Sequence, residues 1–294
     1  MRAAFLTDLH LGPRATFEGK LRKMSDQAAP FLRELVSYLS GPNLPRQRPQ
    51  RATPLDVLVN LGDVLEDESP EADFARYGEF VAELTRLPCP ALHVAGNHDR
   101  VHLSDLQLRE LWQVTGLEVD QLHYSRDIGG VHLCVLATRE TKDIDVRLPA
   151  EQLEWLEKDL SQTELATVIC IHHPLSDCVL DGNRWFSQAP NICRVAERKA
   201  FRRVIEASGK VLLVVNGHAH WNHFDLIAGV PYITLQSPIE NLDADAPGRP
   251  AKTFGLLDVA PERALFRVFG EQPAHYQLTP SASLAERLRA AASE

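Results

Sequence analysis

Six short runs of β-branched and other apolar residues, at positions 3–7, 57–61, 91–95, 131–137, 167–171 and 211–215, each break off at a polar cluster. Runs of roughly four to eight such residues, bounded in this way, predict buried strands rather than helices. Between them apolar positions recur at helical spacing over 29–39, 74–84, 150–160 and 195–206, so strands and helices alternate along most of the chain. The last third changes character. Positions 232–235, 253–259 and 264–269 read as strands with no helix between them, which predicts an antiparallel part of a second sheet, and 283–292 reads as a final amphipathic helix. A stretch rich in Pro and Arg, 41–54, predicts a solvated loop. The acidic stretch 63–73 precedes a helix, where carboxylates favour the positive end of the dipole; apart from Asp63 it is expected to be solvated.

Composition narrows the class. A chain of 294 residues with 44% hydrophobic and 24% charged residues builds one large α/β domain or roughly two smaller ones, and disorder is excluded. The formal charge of −9 argues against long nucleic acid as a partner, because such binding neutralises phosphates with a basic face. A small anion stays compatible where a metal site supplies local positive charge. The opening Met-Arg-Ala-Ala-Phe-Leu-Thr-Asp stops short of a signal-peptide core, and no stretch approaches the ~20 apolar residues of a membrane span. The five cysteines are odd in number and form no C-x-x-C. The expectation is a soluble, cytoplasmic protein with reduced thiols.

Five separated segments place His, Asp and Asn just past the end of a predicted strand: Asp8-Leu9-His10, Gly62-Asp63, Gly96-Asn97-His98-Asp99, His172-His173-Pro174 and Gly217-His218-Ala219-His220. Singly, each has an ordinary reading as a turn, a cap or a hydrogen-bonded core histidine. Together they would converge, because sites in α/β sheets form outside the carboxyl ends of the strands. Carboxylates, an amide oxygen and several imidazoles, with no thiolate, suit Mn, Fe or Zn in a catalytic rather than a structural site. So large a set suits two ions about 3.5–4 Å apart that share a carboxylate and leave positions open for water and substrate. Gly62, Gly96 and Gly217 fit backbone crowded against such a centre.

In this order the segments resemble the calcineurin-like metallophosphoesterase superfamily, whose pattern D-x-H, GD, GN-H-D/E, H, GHxH is matched in full over 2–220. The resemblance implies an α/β fold, a four-layer α/β/β/α sandwich of two mixed β-sheets flanked by helices. It implies a metallophosphoesterase domain over 1–270, followed by a helical appendage over 271–294. It further implies that Asp8, His10 and His220 hold a first metal, that Asn97, His172 and His218 hold a second, and that Asp63 bridges them. His172 is preferred to His173 as the first polar residue after its strand, adjacent side chains of an extended segment pointing opposite ways; His173 is left as a residue behind the ligands. Asn97 and His98 would contact substrate, with His98 facing the scissile phosphate and Asp99 orienting its imidazole. The nucleophile would be a hydroxide bridging two divalent ions, at a centre whose net charge is positive and so opposite to that of the chain.

Within the superfamily, His-His-Pro, Gly-His-Ala-His and the L-x-x-x-Q-L-x-W-L pattern at 148–156 resemble the class III cyclic nucleotide phosphodiesterase branch. Read from its residues alone, 148–156 is an amphipathic helix in which Trp155 packs. The chain departs from the family pattern at Val-Leu-Glu-Asp-Glu after Asp63, at Leu175 after His-His-Pro, and at 41–54, which reads as an insertion. Substrate contacts are expected from loops 14–23 and 181–194. In the latter Asn183, Arg184, Trp185 and Phe186 form either a lid, with Arg184 and Trp185 on the substrate, or a loop with a buried aromatic anchor. The function expected is hydrolysis of a small nucleotide-like phosphodiester. The alternatives are a phosphomonoesterase of nucleotides or phosphoproteins and, in another class, a non-catalytic metal-binding scaffold.

Overall fold

The computed structural model describes residues 1–41, 54–142 and 144–293, so the expected loop at 41–54 lies almost wholly outside the described residues. The first half runs β1 (Arg2–Leu6), a hairpin of β2 (Ala15–Phe17) and β3 (Lys20–Lys23), α1 (Ala28–Ser40), β4 (Val57–Asn60) and α2 (Pro70–Leu84). It continues with β5 (Ala91–His93), the single turn α3 (Asp99–His102) and α4 (Asp105–Gln113). Next come β6 (Tyr124–Ile128), β7 (Val131–Val135), a second small hairpin of β8 (Arg139–Thr141) and β9 (Asp145–Arg147), and α5 (Ala150–Gln162). Then follow β10 (Ala166–Cys170), α6 (Arg198–Ser208), β11 (Val211–Asn216), β12 (His223–Ile227) and β13 (Val230–Thr234). The chain closes with β14 (Phe254–Ala260), β15 (Arg263–Phe269), β16 (Ala274–Leu278) and α7 (Ala282–Ala291).

Two six-stranded sheets result, in the orders β16-β15-β14-β1-β4-β5 and β12-β13-β11-β10-β7-β6. The centre of each is parallel: β1 pairs with β4 and β4 with β5 in the first, and β10 lies between β7 and β11 in the second. Parallel strands are buried on both faces, which is why they read as unbroken apolar runs. Alternation along the second sheet separates two cores. Leu133, Val135, Val168, Cys170, Leu213 and Val215 face the first sheet, while Cys134, Leu136, Ile169, Ile171 and Val214 face α5 and α6 through Leu156, Leu160, Phe201 and Ile205. On the other side Leu35, Val36, Tyr77, Phe80 and Trp112 of α1, α2 and α4 join the core of the first sheet. The layers are therefore helix, sheet, sheet, helix, as expected.

One expectation is corrected. The antiparallel strands β14, β15 and β16 extend the first sheet from the free edge of β1, whereas β13 enters the second, parallel to β11 and antiparallel to the edge strand β12. The stretch 271–294, expected as a helical appendage, first supplies the edge strand β16, and Leu284 and Leu288 of α7 then join the inner core. Trp155 packs as read: it lies against the second core, with its ring centroid 4.9 Å from that of His123. Gln152 of the same helix pairs with the backbone of Ala137, accepting from its N–H at 3.0 Å and donating to its carbonyl at 2.7 Å, and so fixes the segment that leaves β7.

Candidate metal centre

Each of the five polar segments follows a parallel strand: β1, β4 and β5 in the first sheet, β10 and β11 in the second. Their loops are tied together. Asp8 N–H donates to Gly62 O at 2.9 Å, His10 N–H to Asp63 O at 3.0 Å, Gly217 N–H to His172 O at 3.1 Å, and His218 N–H to the Asp8 carboxylate at 2.9 Å. Asp8, His10, Asp63, His218 and His220 all hold positive φ, between 46° and 67°. That conformation costs a non-glycine residue about 1–3 kcal/mol, and its concentration at one place marks a functional centre. Two of the glycines are required by close approach. A Cβ on Gly96 would lie 2.1 Å from Asp63 Oδ1, and one on Gly217 would lie 1.8 Å from Thr7 Oγ1 and 2.4 Å from Asp8 Oδ2.

The side chains converge in two overlapping groups. Asp8, His10 and His220 form one, with His10 Nε2 3.1 Å from His220 Nε2 and His220 Nε2 3.5 Å from Asp8 Oδ1. In the other, His172 Nε2 lies 3.1 Å from Asn97 Oδ1, 3.2 Å from His218 Nδ1 and 3.3 Å from Asp63 Oδ2. Asp63 Oδ2 is also 3.8 Å from His10 Nε2, so this carboxylate stands between the groups. The far nitrogen of each imidazole is held by protein: His10 Nδ1 by Leu65 O (3.1 Å) and Glu66 (3.0 Å), His172 Nδ1 by Leu61 O (2.9 Å), His220 Nδ1 by Glu240 (3.0 Å) and His218 Nε2 by Ile192 O (3.1 Å). Such partners fix the tautomer that turns a lone pair inward. His173 differs. Its Nδ1 meets Thr138 Oγ1 at 2.7 Å, its buried Nε2 has no hydrogen-bond partner among the described residues, and its ring lies 4.0 Å from that of His218.

Electrostatics show what the centre demands. Burial disfavours charge on His172 and His220, yet Asp63 lifts the first to about 10, and Asp8 and Glu240 lift the second to about 9. Asp63 stays well below the usual carboxylate range despite its burial, held there chiefly by His172 and His98. The buried carboxylates draw protons onto His172 and His220, whereas burial pushes His10 down to about 4 and His218 down to about 3; divalent cations answer the same demand of the carboxylates. Oxygen and imidazole donors with inward lone pairs and braced outer nitrogens fit such ions.

His98 and Asp99 do not pair as expected. His98 Nδ1 pairs with the carboxylate of Asp67. Asp99 is fully buried and accepts backbone N–H groups from Asp63 (3.0 Å), Val64 (2.8 Å), Leu65 (3.2 Å) and Gly96 (2.9 Å). As the first residue of α3 its side chain turns back into the β4 loop, so it shapes the ligand backbone and does not reach His98. Burial and the Asp63 charge push its carboxyl up to about 7. The acidic stretch is accordingly not simply solvated: Asp67 holds His98, Glu66 braces His10, and buried Asp73 accepts from Glu68 N–H at 3.1 Å and meets His102 at 2.7 Å.

Loop 181–194 covers the His218 and His220 side. Trp185 Nε1 donates to Glu240 at 3.1 Å with its ring 5.2 Å from that of His220, the Phe186 ring lies tilted 4.6 Å from that of His218, and Arg184 donates to Asn241 O at 2.6 Å. The polar groups of Arg184 and Trp185 thus anchor the loop to the rim. The sequence singled out none of Glu66, Asp67 and Glu240 as members of this site, and it reached Lys23 only as the last residue of loop 14–23, expected to touch substrate. Lys23, only 5% exposed, places Nζ 2.8 Å from Glu66 Oε2, 3.4 Å from His10 Nδ1 and 3.5 Å from His98 Nε2. The one available signal was its place in the loop that follows D-x-H.

Comparison with known proteins agrees with this geometry. The family model for calcineurin-like phosphoesterases matches residues 1–222. A probable cyclic nucleotide phosphodiesterase of Synechococcus sp. is 33% identical over 165 residues, which cover 56% of this chain and 58% of that protein, so the match spans little more than half the length of either. Among solved structures, a dimetal phosphatase from Danio rerio superposes with a TM-score of 0.72 at 18% identity, covering 95% of this chain and 99% of the other. Purple acid phosphatase from yellow lupin gives 0.67 at 14% identity, covering 97% of this chain and 55% of the other. At those identities the structures speak for the fold. Among the described residues no helix is long and apolar enough to cross a membrane.

Proposed function

The chain belongs to the calcineurin-like phosphoesterase family; from that premise we propose that it is a metal-dependent phosphoester hydrolase acting on a small, nucleotide-like phosphodiester. In this reading Asp8, His10 and His220 hold one divalent cation, Asn97, His172 and His218 a second, with Asp63 shared, and the ions are drawn from Mn, Fe and Zn. When bound, the pair supplies Lewis acidity and a water of lowered pKa. Everything else falls to the chain. Glu66, Glu240 and the carbonyls of Leu61, Leu65 and Ile192 orient the imidazoles; Asn97 and His98 bind the phosphate; Asp67 keeps a proton on His98 Nδ1 so that Nε2 serves the departing oxygen.

The observation that carries the reading is His98. Its side chain is 25% exposed, held from behind by Asp67, and aimed beside the ligand groups, where a leaving alkoxide needs a proton. Similarity to the probable cyclic nucleotide phosphodiesterase favours a diester of nucleotide type. The five cysteines, all free, support a reducing compartment. The test is turnover of bis(p-nitrophenyl) phosphate, p-nitrophenyl phosphate and cyclic AMP by protein stripped of metal and reloaded separately with Mn, Fe and Zn. Faster cleavage of the diester is expected, with cyclic AMP turnover marking the cyclic nucleotide type. Preference for the monoester overturns the diester reading in favour of a phosphomonoesterase, and no turnover by a protein that binds two ions favours a scaffold.

A further inference from the structure

We propose that Lys23 is a further catalytic residue, whose ammonium donates to the leaving-group oxygen beside His98; the proposal rests on the phosphodiesterase reading and narrows its substrates to diesters with an alkoxide-like leaving group. An ammonium is rarely buried unless a partner holds it, and Lys23 has one carboxylate, Glu66 Oε2 at 2.8 Å. Its next neighbours are His10 Nδ1 at 3.4 Å and His98 Nε2 at 3.5 Å. His10 cannot accept from it while its Nε2 lone pair faces the centre, because Nδ1 then carries a proton directed to Leu65 O and Glu66. A lysine has three N–H donors, so Lys23 keeps donors to spare on the side of His98.

Lys23 Nζ and His98 Nε2 stand within hydrogen-bond reach of each other, 3.5 Å apart, so the two groups face one point of the site. An oxygen placed about 2.8 Å from both nitrogens is a shared acceptor. The partly exposed His98 side chain, and not the buried Lys23, marks the approach for such an oxygen. Trp185, whose ring centroid is 5.3 Å from Lys23 Nζ, and Glu66 wall the ammonium on other sides and fix its aim. In the reaction a water oxygen bonds to phosphorus and the bond from phosphorus to the leaving oxygen breaks. The leaving oxygen takes the proton from His98 Nε2, and the proton released by the water returns through solvent to that imidazole. Lys23 transfers no proton; it donates a hydrogen bond to the charge that develops on the leaving oxygen. Phenolates with strongly withdrawing groups need this little, and sugar or alkyl alkoxides need it most.

The test uses the metal-loaded full chain and methyl aryl phosphodiesters whose leaving phenols run from p-nitrophenol to unsubstituted phenol. Relative to the wild type, Lys23→Met is expected to lose roughly 10-fold in kcat with p-nitrophenol and about 100-fold or more with phenol, at unchanged metal content. Inorganic phosphate, measured by calorimetry, is expected to bind about 10-fold more weakly, and Lys23→Arg to recover part of both losses. Should Lys23→Met not fold, Lys23→Gln replaces it, keeping a donor without the charge. A loss that is uniform across the series, or no loss, overturns the role of Lys23 while leaving the phosphodiesterase reading intact. A wild type inactive on every diester, with p-nitrophenyl phosphate turned over, overturns that reading itself and this proposal with it.

Discussion

The imidazole of His98 is held by Asp67, which lies 31 residues earlier, and not by its neighbour Asp99. The His98 hydrogen bond also keeps the Asp67 carboxyl below its usual range. Asp67→Asn is therefore expected to lower kcat for phosphodiesters by about 10–100-fold, the ordinary cost of removing a residue that orients a functional imidazole, with metal content unchanged. Steady-state kinetics beside elemental analysis of the purified variant checks this; full activity would remove Asp67 from the account.

Asp99 has a different task. Four backbone N–H groups of the Asp63 and Gly96 loops end on its two oxygens. Asn at this position keeps one acceptor and points an NH2 group at donors, leaving buried amides unpaired at about 1–3 kcal/mol each. Asp99→Asn is expected to lower the urea midpoint clearly and to weaken metal retention. An unchanged midpoint with lost activity would instead make Asp99 a direct participant in the chemistry.

Two glycines of the site contrast with Gly78 of α2 in the room they leave for a side chain. Gly96→Ala and Gly217→Ala would drive a Cβ to 2.1 Å from Asp63 Oδ1 and 1.8 Å from Thr7 Oγ1. Misplacement of that size in a catalytic centre costs about 100-fold in rate, and metal is expected to be lost as well. Gly78, in α2, would bring a Cβ no nearer than 3.9 Å to Leu111 Cδ2, so Gly78→Ala is expected to stabilise the protein by about 0.5–1 kcal/mol and leave turnover alone. Thermal unfolding and metal analysis of the three variants distinguish the cases.

How much of this was legible depended on range. The central parallel strands announce themselves as apolar runs because both their faces are buried, and the ligand segments follow them directly. Gly96 and Gly217 were readable for the same reason: they stand beside the residues they make room for. Glu66, Asp67 and Glu240 were not, and Lys23 only as a member of loop 14–23, since their meaning lies in partners brought by other loops, as Glu240 shows by meeting His220 and Trp185 across the site. In sequence Glu66 and Asp67 look like any acidic approach to a helix. The sheet joined by β14–β16 was equally hidden, because it follows from which edge of β1 remains free.

Away from the site, His132 of β7 sits between Asp127 of β6 at 2.6 Å and Asp159 of α5 at 2.8 Å. Burial works against its charge, but Asp159 and Asp127 win and raise its pKa above the usual 6.5. A histidine with a raised folded-state pKa contributes stability in full below about pH 6.5 and loses it as pH climbs through the raised value. The melting-temperature gap between wild type and His132→Phe is therefore expected to be largest near pH 6 and to shrink toward pH 9, by an amount on the order of a few degrees. A gap that is flat across that range would show that the pair of aspartates does not hold a charged imidazole.

The central claim is that two ions, sharing Asp63, act together in phosphodiester hydrolysis. It is tested most directly by titrating metal-free protein with Mn while following cleavage of bis(p-nitrophenyl) phosphate, alongside the same titration of Asp63→Asn. The account expects activity to rise until two equivalents per chain are bound and then to level off, with the variant binding fewer ions and staying inactive. Full activity at one equivalent, or without metal, would contradict it.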